Sequence, residues 1–258
     1  MARQCKAAES CSLEEALARL PRAEDHARSM LPRLMLLGGL PGGARILDVG
    51  AAQGRFLVGC AKMGFQAVGV EPWDEALAVA PRLAEHQGVS IEVVKGYAEE
   101  LPFEDEQFDL VHASSVLEHV RDAQACFAEA YRVLKPGGLL WFGTASSMCP
   151  RQSEIRGFPA FGWYPNRLKL RIMKWAMENK PHLIGHTEMP AIHWFTPWKA
   201  RRMLRQAGFS RVYDRWDMPI LPGERKLKRL GYAIIRSTFL TKCLADMLKP
   251  GCAYTGVK

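Results

Sequence analysis

The 258-residue sequence has no Cys-x-x-Cys pair, and its seven cysteines (Cys5, Cys11, Cys60, Cys126, Cys149, Cys243, Cys252) are odd in number and scattered. That excludes a zinc ribbon and argues for a reducing compartment rather than a disulfide framework. No window reaches the roughly 18 apolar residues that a membrane-spanning helix needs. The first residues do not join a basic region to a long apolar stretch, so no signal peptide is expected. The chain reads as soluble and cytoplasmic, at most peripheral at the inner membrane face. Metal ligands are also sparse: His182, His186 and His193 lack a carboxylate or cysteine set at ligand spacing, and structural histidines without a metal are expected.

Acidic residues are scarce in one half only. Residues 1–150 hold 14 basic and 20 acidic side chains, residues 151–258 hold 21 and 7, and the net charge is +8. The C-terminal part therefore reads either as facing something anionic, such as a lipid surface or a phosphorylated acceptor, or as a solvated basic face.

With 48% hydrophobic residues the chain can bury a large core. Ser12-Leu13-Glu14-Glu15 fits a capping box, which predicts helix over 12–37. Strands are predicted at 45–49, 66–70, 91–95, 108–112, 139–144 and 209–216, with a short terminal one at 252–257. Helices are predicted at 54–63, 74–86 and 122–134. Such alternation predicts right-handed crossovers and a doubly wound, Rossmann-like α/β sheet of seven mostly parallel strands, the last antiparallel. Its ligand belongs outside the carboxyl ends, where the loops after 49, 70, 95 and 112 converge.

The loop Asp48-Val49-Gly50-Ala51-Ala52-Gln53-Gly54 ends the first strand, with glycines that let backbone approach a ligand and an aspartate able to hold the amides of the turn. Glu71 ends the second strand, where a carboxylate can accept from both hydroxyls of a ribose. A nicotinamide enzyme would also place an acid there, but its Gly-x-Gly-x-x-Gly is missing. Gly96 to Phe103, Phe108 to Val111, Val116 to Val120 and Val133 to Gly138 follow in order. This series resembles the motifs of class I S-adenosylmethionine-dependent methyltransferases of the small-molecule, methyltransferase-11-like type. The likeness covers about 45–145, and returns weakly at 193–209. Ala52 stands where the family's fullest motif has its middle glycine, which should narrow the loop slightly.

The resemblance implies S-adenosylmethionine as cofactor, released as S-adenosylhomocysteine. It implies a site built from Asp48, Gly50, Ala51, Ala52, Gly54, Glu71, Pro72, Tyr97, Ala98, Glu99 and Ser114. Tyr97 replaces the family's usual aspartate after the third strand, so adenine is expected on the Ala98 amide and the Tyr97 ring, or else Tyr97 is a rim residue. Ser114 either lines the methionine end or is a polar turn. His119 is a candidate general base, or, with Glu118, orders the loop.

Four regions are expected: an N-terminal helical cap at 1–40, a cofactor-binding core at 41–145, an inserted acceptor lid at 146–195, and a completion of the sheet at 196–258. Thr196-Pro197 predicts a helix start that runs to Ala207-Gly208. The lid's aromatics beside Arg151, Arg156 and Arg167 suit a sugar, isoprenoid or phosphate-bearing acceptor, or form the lid's own core. Residues 223–249 read as an amphipathic helix or broken pair that rests on an anionic membrane or packs on the sheet. The expected reaction is O-methylation of a small or lipid- or glycan-linked acceptor. The alternatives are C-methylation of a quinone or isoprenoid ring, or cofactor binding without turnover. Nucleic acid is disfavoured, because 114–120 lacks Asn/Asp-Pro-Pro-Tyr/Phe.

Overall fold

The computed structural model describes residues 12–152, 154–184 and 191–258. Cys5, Cys11, His186 and Pro190, and the first part of the N-terminal cap, lie outside the described residues.

Helix α1 (Leu13–Leu37) begins at Ser12, whose hydroxyl accepts from the Glu15 amide (3.1 Å), and ends at Gly38 with φ 95°. Only half of the expected capping box forms, since the Glu15 carboxylate pairs with Arg19 at 2.6 Å instead. The core then alternates: β1 (Arg45–Val49), α2 (Arg55–Lys62), β2 (Gln66–Glu71), α3 (Asp74–His86), β3 (Glu92–Lys95), β4 (Phe108–Ser114), α4 (Ala123–Val133) and β5 (Leu134–Ala145). There follow α5 (Asn166–Asn179), α6 (Pro197–Gln206), β6 (Arg211–Asp214), α7 (Lys226–Arg236), α8 (Phe239–Met247) and β7 (Gly251–Val257).

The seven strands form one sheet in the order β3-β2-β1-β4-β5-β7-β6, and β7 runs antiparallel to both its neighbours. Every predicted strand is present. The fifth is longer than predicted because the Lys135–Gly138 turn is absorbed into it, with Gly137 at φ 77°. The sixth is shorter, as the chain turns at Asp214, whose carboxylate accepts from the Trp216 and Asp217 amides. The 223–249 segment is a broken pair, and α5 was not predicted, because the prolines around it hide a proline-free stretch of 14 residues.

The central strands β1, β2 and β4 are largely buried on both faces, and alternation sorts their side chains. Leu47 and Val111 point toward α4 and α6, while Ile46 and Leu110 point toward α1 and α2. Asp48 and His112 therefore share the α1–α2 face, and the register places them opposite each other. Phe127, Phe142, Phe195 and Tyr254 fill the other face. Residues 146–195 leave the sheet at the carboxyl end of β5 and return by a bridge between Ser146 and Phe195. Phe161, Met173 and Trp194 form a separate small core there, with Phe158 and Tyr164 packed on it. Most of the aromatics expected to meet an acceptor thus hold this segment together; Trp163 is exposed.

Candidate active site

Four loops meet at the carboxyl ends of β1 to β4. The first hooks onto β2: the Gly50 and Ala51 amides donate to the Val70 carbonyl at 2.8 and 3.1 Å. Gly50 has φ 73°, and a Cβ there would lie 2.5 Å from Val116 Cγ2, so a glycine lets the loop after β4 close in. Helix α2 opens at Gly54, which has no side chain to cap it and adopts φ 73°. Ala52 does not simply narrow the loop. It adopts φ 46°, the left-handed region in which a glycine would be unstrained.

Glu71, rather than Asp48, holds the amides of the turn. Its Oε2 accepts from the Ala52 amide at 2.8 Å and its Oε1 from the Trp73 amide at 3.3 Å. Burial pushes the Glu71 carboxyl up, while these two amides pull it down. Asp48 is directed by strand alternation into the sheet's other face, where its Oδ1 lies 2.6 Å from His112 Nδ1. A carboxylate can only accept, so Nδ1 carries the proton; His112 Nε2 lies 3.2 Å from His26 Nε2. The His112 ring stacks between Phe56 and Trp141, with centroids 3.8 and 4.8 Å away. Asp48 thus braces the base of the loop from behind.

After β3, the Tyr97 ring is 62% exposed, and after β2 the Trp73 ring is 54% exposed. Sequence reasoning singled out Tyr97 and passed over Trp73, although an aromatic two residues beyond the ribose-type carboxylate was a visible signal. Pro72 and Ala98 are half-buried beside them. Glu99 Oε1 accepts from the Arg121 amide at 2.9 Å, which ties the loop after β3 to the one after β4.

Ser114 is exposed at the end of β4, and Ser115 takes φ 57°. The next turn buries Glu118 and leaves His119 half-buried. Glu118 accepts from the Thr144 hydroxyl at 2.7 Å, and its carbonyl accepts from the Ile192 and His193 amides at 2.7 and 3.1 Å. Burial pushes the Glu118 carboxyl up to about 7 against the Thr144 bond, with the Glu154 charge adding to it. Sequence reasoning weighed His119 for proton transfer, but the strongly perturbed group is its neighbour. Lys169 of α5, 1% exposed, places its ammonium 4.8 Å from the Trp194 ring centroid, and burial pushes it down to about 8. Nothing in sequence spacing marked that lysine. Of the histidines expected to be structural, His182 is exposed, and His193 Nε2 has no partner among the described residues.

A cleft of about 420 Å³, lined by Gly38 to Pro41 and Lys135 to Gly138, lies at the opposite, amino ends of the strands. The acid that lines it, Asp109, is already paired with Lys135 at 2.9 Å, so the loops above are the better candidate site.

A family profile described as "Methyltransferase domain" matches residues 47–142. The ubiquinone biosynthesis O-methyltransferase of Rhizobium etli is 34% identical over 102 residues, 40% of this chain and 41% of that protein. The protein of the same name from Pseudomonas fluorescens is 36% identical over 106 residues, 40% and 44% of the two chains. The match thus spans about two fifths of these relatives' length. Among solved structures, an S-adenosylmethionine-dependent methyltransferase from Mesorhizobium loti superposes with TM-score 0.56 at 18% identity, over 87% of this chain and 96% of that one. Phosphoethanolamine N-methyltransferase 2 of Haemonchus contortus, bound to S-adenosylmethionine, superposes with TM-score 0.56 at 18% identity, over 88% and 51%. These two likenesses are of fold, and the 47–142 match adds that this stretch is similar to the methyltransferase-domain family.

Proposed function

We propose that this chain transfers the methyl group of S-adenosylmethionine to a hydroxyl of a small, lipid-soluble acceptor. The observation that carries the reading is Glu71: a buried carboxylate at the end of β2, bridged to the loop after β1. Each of its oxygens has one amide bond, and the remaining lone pairs suit the two hydroxyls of a ribose. Gly50, Ala51, Ala52 and Gly54 would pass beneath the methionine end, with Ser114 beside it. Tyr97 and Trp73 would flank the adenine, and Ala98 would give it a backbone amide. Asp48 and Glu99 would act one step back, through His112 and through the Arg121 amide.

The cofactor's sulfonium supplies an activated methyl group, so the protein needs chiefly to align the acceptor and exclude water. A hydroxyl must also lose its proton, for which His119 and the near-neutral Glu118 are candidates. The relatives named for ubiquinone biosynthesis favour O-methylation of a quinone precursor. C-methylation of such a ring uses the same cofactor half, and a non-catalytic role would leave binding intact without turnover.

Calorimetry tests it. S-adenosylhomocysteine should bind and NAD should not, and Glu71→Ala should weaken the former by roughly 1–3 kcal/mol. Binding of NAD alone, or unchanged affinity in Glu71→Ala, would overturn the assignment. Labelled methyl transfer to hydroxylated polyprenyl phenols, followed by mass spectrometry of the methylated atom, separates O- from C-methylation.

A further inference from the structure

We propose that the α7–α8 hairpin is a wedge that docks on an anionic lipid bilayer and presents the carboxyl end of the sheet to it. This rests on the proposed function for its purpose, but not for its evidence.

The first observation is burial. Helix α7 has no buried residue, and α8 buries only Asp246. Leu227 and Leu248 are each 80% exposed, Leu240 67%, Phe239 65%, Leu230 58% and Ile234 56%. On α7 these recur at three- and four-residue spacing, so they share one face, and none of them is buried. Leaving this much apolar surface in water is costly, and contiguous patches of this kind mark contact sites.

The second observation is charge. Residues 225–249 hold seven basic side chains and one acid, Asp246, which is buried and accepts from Trp216 Nε1 at 2.8 Å. Lys228 is neutralised by Glu224, Lys242 by Asp214 and Asp217, and Arg236 is held by the Trp216 and Met218 carbonyls. Arg225, Lys226, Arg229 and Lys249 are exposed and have no side-chain partner among the described residues. Four unpaired cations beside an apolar face complement an anionic lipid surface. A second copy of this chain would have to set the same cations against themselves.

The third observation is position. The hairpin joins Asp214 to Gly251, and Gly251 pairs with Ala145 at the carboxyl end of β5. That is the end at which the cofactor-type loops converge and the 146–195 segment begins. Phe239 also lies 6.1 Å from the ring of Trp198, itself 54% exposed at the start of α6. Exposed tryptophan beside such a face suits the headgroup level. An 11-residue α7 is about 16 Å long and cannot cross a hydrocarbon layer of ~30 Å, so the hairpin would lie in the interface. No helix among the described residues is long and apolar enough to span a membrane.

The test is sedimentation of the full chain with phosphatidylcholine vesicles, with and without phosphatidylglycerol, in the absence of cofactor and acceptor. Binding should require the anionic lipid and weaken as salt is raised. A Leu230→Ser, Phe239→Ser, Leu240→Ser variant and an Arg225→Glu, Lys226→Glu, Arg229→Glu variant should each lose roughly tenfold or more in affinity. Both alter exposed residues, and unchanged circular dichroism and S-adenosylhomocysteine binding would show the fold intact. Three results overturn the proposal: no binding by the unmodified chain, binding indifferent to the charge reversal, or self-association abolished by the serine variant without any vesicle binding. None of them bears on whether the chain binds S-adenosylhomocysteine, so the two readings fail separately.

Discussion

At the scale of single residues, two departures from expectation carry the most chemistry. Ala52 occupies a left-handed conformation that costs an L-residue roughly 1–2 kcal/mol. Ala52→Gly should therefore raise stability by about 1 kcal/mol, seen as a rise of roughly 2–4 °C in Tm, while the amide that donates to Glu71 is kept. A fall in Tm would show that the alanine is not strained. Glu118 is the second. Its carboxyl titrates at about 7 when folded, above its ordinary 4.5, so the folded chain holds a proton that the unfolded chain has lost between these values. Stability should then decline as pH rises from about 4.5 to about 7, by up to roughly 3 kcal/mol, and level off above. His26, pushed down to about 4 by burial, works in the opposite sense and costs stability as pH falls below about 6.5. Glu118→Gln should remove the Glu118 share of the first slope and leave the second, as read by urea denaturation at several pH values.

At the scale of elements, the strands were readable because short apolar runs bounded by glycine, proline and acid can only be buried strands in a chain this alternating. Asn166–Asn179 was not readable, since prolines flank it and its basic residues mask a stripe in which Lys169, Met173 and Ala176 are buried. The α7–α8 hairpin depends on side-chain ties instead of a core: Lys242 reaches Asp214 and Asp217, and Trp216 Nε1 donates to the buried Asp246. Asp246→Ala would orphan the Trp216 N–H and should cost about 1–3 kcal/mol. Amide exchange should quicken in 226–247 before it does in β1 or β4; uniform quickening would mean the hairpin is integral to the global fold.

At the scale of the whole molecule, an acidic cofactor half and a basic C-terminal half end at the same edge of one sheet. S-adenosylhomocysteine at about a hundred times its Kd should stabilise the folded chain by about 2.7 kcal/mol, visible in Tm, where NAD should have no effect. An equal shift with both would point to a site other than the loops after β1 and β2. The sequence by itself determined the doubly wound sheet and the resemblance to a methyltransferase domain, and it pointed to candidate cofactor residues, because alternation and loop chemistry are local properties of short stretches. Only the tertiary structure decided that Asp48 turns away to His112 while Glu71 takes the turn's amides. It alone placed Glu118 and Lys169 out of water, and left one face of α7–α8 uncovered at the site's end. Those depend on which strand lies beside which and on what remains to cover a surface, and two residues 64 apart in sequence, such as Asp48 and His112, carry no local sign of meeting.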